Sequence, residues 1–102
     1  MMLEGKKIIV TGGGSGIGRA TCVLAAREGA DVAVADINAE TAAETAGMVK
    51  AEGRSAIVIE MDTSKKADAV RMAKEALDAF GTIDGIVCSA IKLVPGRLED
   101  LP

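Results

Sequence analysis

The chain has 102 residues, 49% hydrophobic and 26% charged, with a formal net charge of −3. That length suits one domain with a real core, and the acidic balance with Phe80 as the lone aromatic gives no surface for nucleic acid. His, Tyr and Trp are absent, which excludes histidine triads, histidine metal sites and a tyrosine acid among these residues. Met1 to Lys7 has no apolar core of a signal peptide, and no apolar run is long enough to span a membrane. Cys22 and Cys88 lack C-x-x-C spacing and read as reduced, buried thiols of a cytoplasmic protein.

The elements follow in order. A short β-branched run predicts a buried parallel strand over 6–10. Gly12, Gly13, Gly14, Gly16 and Gly18 then crowd around Ser15, and a good helix former follows over 16–28, closed by Gly29. Ile17, Ala20, Leu24 and Ala25 form the expected apolar face of that helix. A second strand is predicted over 31–36. Asn38 is a good cap for a helix over 39–51 with a thin stripe of Ala42, Ala46 and Val49. A third strand covers 55–61. Thr63 or Ser64 can cap a third helix over 66–80, whose expected apolar face is Val70, Ala73, Leu77 and Phe80. A fourth strand covers 85–89.

Strand, glycine turn and helix in that order make a natural anion site. The free N–H groups of a helix start converge there, and the helix dipole favours negative charge. The geometry suits a pyrophosphate. Position 17 is Ile, so the run from Gly12 does not fit the general G-x-G-x-x-G form. What stands is Thr11-Gly12-x-x-x-Gly16-x-Gly18. The plainer reading is a tight turn with no ligand. Asp36 lies about twenty residues beyond the turn, where the dinucleotide fold places the acid that binds the adenosine ribose. Its plainer reading is a solvated strand-end acid that starts a turn with Asn38.

The Thr-Gly-x-x-x-Gly-x-Gly form resembles that of the short-chain dehydrogenase/reductase family. The resemblance implies an α/β fold: a Rossmann-like parallel sheet of order 3-2-1-4 with helices on both faces. It implies NAD(H) as cofactor, because Asp36 repels a 2′-phosphate and neither Ser15 nor Ile37 supplies the basic side chain that NADP users often carry. It gives Gly12, Ser15, Gly16, Ile17 and Gly18 to the pyrophosphate turn, and Asp36 with Ile37 to the ribose. It gives Asp62 and Thr63 to the adenine; Asp62 also reads as a capping acid, and the two roles are compatible. Where the family carries Asn-Asn-Ala-Gly, this chain has Cys88-Ser89-Ala90-Ile91, and Ala90 is the match. Backbone groups of Cys88 and Ala90 are the implied contacts to a ribose.

The family's Ser, Tyr and Lys lie further along than residue 102, so the resemblance covers a cofactor-binding domain, 1–102, without the catalytic half. No catalytic residue and no metal ligand is expected here. The alternatives are a non-catalytic nucleotide-binding module or fragment without turnover and a methyltransferase-like domain. A fourth strand without its next neighbour leaves an open apolar edge, so a homo-oligomer through that edge is expected.

Overall fold

The computed structural model describes residues 2–14, 16–62 and 64–88. Its elements are β1 (Lys7–Thr11), α1 (Gly16–Arg27), β2 (Asp31–Asp36), α2 (Ala39–Ala51), β3 (Ala56–Glu60), α3 (Lys66–Phe80) and β4 (Gly85–Cys88). All strand pairs are parallel, in the order β3-β2-β1-β4. Two crossovers step one way from β1 to β3. The third returns past β2 and β1 to β4, so the order reverses between β1 and β4.

Alternation along the strands sorts the core into two layers. Ile8, Val10, Val32 and Val34 pack with Cys22, Ala25 and Ala26 of α1 and Ala42, Ala46 and Val49 of α2. Ile9, Ala33, Ala35 and Ile59 pack with Met72 and Ala76 of α3. Helices therefore cover both faces, as expected. Val32 to Ala35 are fully buried, which is why β2 reads as an unbroken apolar run.

Several boundaries and faces differ from expectation. β1 runs one residue later than predicted, and β3 loses one residue at each end. α1 buries Gly18, Cys22, Ala25 and Ala26, while Ile17 is 74% and Leu24 62% exposed. The expected face of Ile17, Ala20 and Leu24 is thus rotated away from the sheet. The reason is close approach: a Cβ on Gly13 would lie 2.9 Å from Val34 Cγ1 and 3.1 Å from Cys22 Sγ, so only small side chains fit between α1 and the sheet.

α3 shows the same offset. Met72 and Ala76 are buried, Ala73 and Phe80 half-buried, and Val70 and Leu77 exposed. Among the described residues no side chain makes the expected cap on α3. Lys65 is the cap residue and makes no such bond, because the Ser64 hydroxyl donates to Asp62 Oδ1 at 2.7 Å instead; Thr63 lies outside the described residues. Asn38 caps α2 as predicted, accepting from the N–H groups of Glu40 at 3.0 Å and Thr41 at 3.2 Å. Cys22 is buried but Cys88, expected buried, is exposed. β4 pairs only with β1 among the described residues, leaving Ile86 and Val87 uncovered.

Candidate functional site

The strand register gathers the singled-out residues at one end of the sheet. Thr11 stands beside Ala35 on one side and Cys88 on the other, and Asp36 beside Glu60. The glycine turn, Asp36, Asp62 and Cys88 thus all lie at the carboxyl ends of strands. This is where open α/β sheets bind ligands, at the reversal of strand order.

The turn is held by its own backbone and by β2. Gly12 and Gly16 have φ of 71° and 59°, a region that L side chains seldom enter. The Gly13 N–H donates to Ala35 O at 3.1 Å, and the Gly14 N–H donates to Asp36 Oδ2 at 2.9 Å. A Cβ on Gly14 would collide with Thr41 Oγ1 and come within 2.8 Å of Asp36 Oδ2. The donors of Gly13 and Gly14 are therefore used inside the protein. Those of the first turn of α1 have no intrahelical partner, and that turn carries no acidic residue. Ser15 lies outside the described residues, as do Thr63 and Ala90.

Asp36 makes two backbone contacts. Its Oδ1 accepts from the Asn38 N–H at 3.0 Å, the strand-end turn expected of it, while its Oδ2 reaches back to the glycine turn. A carboxylate offers about four lone-pair sites, so each oxygen keeps capacity for one more donor. Ile37 beside it is 66% exposed.

Asp62 is similarly placed. Its Oδ1 accepts from the Ser64 N–H at 2.9 Å, and its own N–H donates to Asp68 Oδ2 at 2.8 Å. Arg71 donates to the Glu60 carbonyl and pairs with Glu75. Between these residues lies an open cleft of about 250 Å³, lined by Ile37, Glu60, Met61, Asp62, Lys65, Asp68 and Arg71. Sequence reasoning missed Asp68 and Arg71 in this cleft. An acid in the first turn of a helix whose cap residue is Lys65 was the available signal for Asp68.

The two thiols differ. Burial pushes Cys22 up to about 12, against a partial opposing effect from a backbone hydrogen bond. Cys88 is exposed at the end of β4 beside Thr11, whose hydroxyl donates to Val87 O at 3.4 Å. Among the described residues no helix is long and apolar enough to cross a membrane.

Fold and site define a class: a doubly wound, Rossmann-like α/β chain whose glycine turn opens a helix at the reversal of strand order. The family model for short chain dehydrogenases matches residues 6–101, and the chain belongs to that family. It is 48% identical over 83 residues to the 2,5-dichloro-2,5-cyclohexadiene-1,4-diol dehydrogenase of Sphingobium indicum, covering 81% of this chain and 32% of that protein. It is 43% identical over 90 residues to the sorbitol dehydrogenase of Cereibacter sphaeroides, covering 88% and 34%. Among solved structures, a short chain dehydrogenase from Mycobacterium paratuberculosis bound to NAD superposes with a TM-score of 0.87 at 28% identity, covering 100% of this chain and 42% of that one. The chain spans about a third of the length of the curated relatives it matches, at 32% and 34% of these two. Family membership removes the methyltransferase-like reading.

Proposed function

We propose that residues 1–102 form the NAD(H)-binding domain of a short-chain oxidoreductase that moves a hydride between nicotinamide and an alcohol or carbonyl. The observation that carries this reading is Asp36, whose carboxylate braces the Gly14 N–H while keeping acceptor capacity at the mouth of the site. The NAD bound to the Mycobacterium relative supports it.

The residues present fit a dinucleotide. The first turn of α1 carries no acidic residue of its own, which suits a pyrophosphate on the N–H groups of Ser15 and Ile17, with Gly12 and Gly16 giving the backbone its positive φ and Gly18 keeping the turn small. Asp36 accepts the two hydroxyls of the adenosine ribose, and Ile37 flanks it. The negative charge of Asp36 opposes a 2′-phosphate, so NADH is preferred to NADPH. Asp62, which lines the 250 Å³ cleft, is the proposed acceptor for the adenine edge, with the Thr63 backbone completing the contact. Backbone groups of Cys88 and Ala90 are the proposed contacts to a ribose.

Bound NAD(H) supplies the hydride. Residues 1–102 contain no Tyr and no His, and no proton-transferring role is assigned to any of them. The substrate is an alcohol or carbonyl compound only as a class. The reading also sets the protein in the reducing cytoplasm, where Cys22 and Cys88 stay free thiols. Ile86 is 52% exposed on β4, which pairs only with β1 among the described residues, and that edge is the proposed contact with a second copy; sedimentation showing only monomer at high concentration would refute it.

Calorimetric titration with NADH and then NADPH tests the cofactor assignment. Saturable binding that favours NADH is expected. Equal affinity for the two would refute the role of Asp36, and no binding by the folded chain would favour a remnant whose cofactor crevice is lost.

A further inference from the structure

Arg19 is the fourth residue of α1, and a cation in the first turn works against the helix dipole. A sequence built only to fold has little reason to put one there. The structure shows what the side chain does. It leaves α1 and reaches α2, with 27% of its surface exposed. Its Nε donates to Thr45 Oγ1 at 3.0 Å, and Thr45 is fully buried. Its Nη2 lies 2.7 Å from Gly14 O, 3.2 Å from Thr41 O and 3.0 Å from Glu44 Oε1.

The contact with Gly14 matters most. Both polar groups of this glycine are now tied: the N–H to Asp36 Oδ2 and the carbonyl to Arg19. The absent Cβ lets the backbone sit against Thr41 and Asp36. A carbonyl turned toward an anion would repel it, and one held by a guanidinium on the α2 side is kept from doing so. The fork geometry of Arg reaches several oxygens on two elements at once, which a lysine ammonium on its single stem does not.

We infer that Arg19 is a positioning residue for the pyrophosphate turn, holding the Gly14 carbonyl against α2 and away from the anion. This rests on the NAD(H) reading above. It adds a third element, α2, to the support of a turn that strand and helix alone would leave loose. Glu44, 63% exposed, is only the outer partner of this set.

The test compares the wild-type chain with Arg19→Met and Arg19→Lys. Each is titrated by NMR with NADH, ADP and adenosine, and amide exchange is followed at Gly13 and Gly14. Both variants are expected to bind NADH and ADP about tenfold more weakly, or about 1.4 kcal/mol, while adenosine affinity stays within about twofold. Exchange at Gly13 and Gly14 should quicken without change in β3 or α3. A lysine variant equal to wild type would show that charge alone acts, and would overturn the inference. So would an equal loss for all three ligands, which a general loosening of the fold produces. Wild-type chain that binds none of them refutes the cofactor reading instead. Exchange then still decides on Arg19, since unchanged rates at Gly13 and Gly14 in Arg19→Met overturn its role.

Discussion

Replacing Asp36 by Ala removes one side chain from two hydrogen bonds of unequal worth. The Asn38 N–H is exposed and is taken over by water at little cost. The Gly14 N–H belongs to a buried residue, packed between the turn and α2, and it loses its acceptor. An orphaned buried donor costs about 1–3 kcal/mol. Small domains lose about 1–3 kcal/mol of stability per molar urea, so the midpoint of unfolding should fall by about 1 M. The chain has no Trp or Tyr, so the helical circular dichroism signal is the probe. Asp36→Asn keeps an oxygen for the Gly14 N–H and should recover much of that loss. It should still lose the preference for NADH, since the charge that opposes a 2′-phosphate is gone. An Asp36→Ala midpoint equal to wild type would refute the coupling between β2 and the glycine turn.

Two glycines make a contrasting pair: Gly13→Ala drives a Cβ to 2.9 Å from Val34 Cγ1 and should destabilise by about 1–3 kcal/mol, read from thermal midpoints. Gly47→Ala sits inside α2 with nothing within 4 Å and should stabilise by about 0.5–1 kcal/mol. A thiol reagent at neutral pH should modify Cys88 quickly in the native chain and Cys22 only on unfolding, because burial pushes Cys22 up to about 12; one fast and one denaturant-dependent phase is the expected trace. Burial alone would raise Asp31, but hydrogen bonds from Lys7 and the Ser55 N–H, with the charges of Lys7 and Arg54, bring it below the usual carboxylate range. A group lowered in the native state contributes stability that is complete above its unfolded pKa of about 3.9 and is lost as pH falls through the native value. Asp31→Asn should therefore be less stable than wild type at pH 7, and the gap should close below about pH 4.

Much of the architecture was legible in the residues, and the limits have physical causes. β2, α2 and α3 fall at the predicted bounds because their ends carry strong signals: Asp36 and Asn38, Gly53 beyond α2, and Gly81 in the left-handed region after α3. The buried faces of α1 and α3 differ in part from the expected ones. Periodicity weights bulk, so Ile17, Leu24, Val70 and Leu77 stand out, whereas α1 buries Cys22 and Ala26 with the expected Ala25, and α3 turns Met72 and Ala76 to the sheet. Cys88 sits in a strand-like run, but nothing local says whether a neighbour covers that strand. The site was legible where a motif has fixed spacing, as from Gly12 to Gly18 and on to Asp36. The links from Arg19 to Thr45 and from Asp68 back to Asp62 were not, since they depend on side chains meeting across elements.

The central claim is that one dinucleotide lies across the carboxyl ends of the strands, with its adenosine half on Asp36 and Asp62. Amide chemical-shift mapping during NADH addition tests it most directly. Saturable shifts are expected at Gly12 to Gly18, Asp36 to Asn38 and Asp62 to Ser64, with the opposite end of the sheet, around Lys7, Asp31 and Asp84, unmoved. Shifts centred at that opposite end, or spread evenly over the chain, would contradict it.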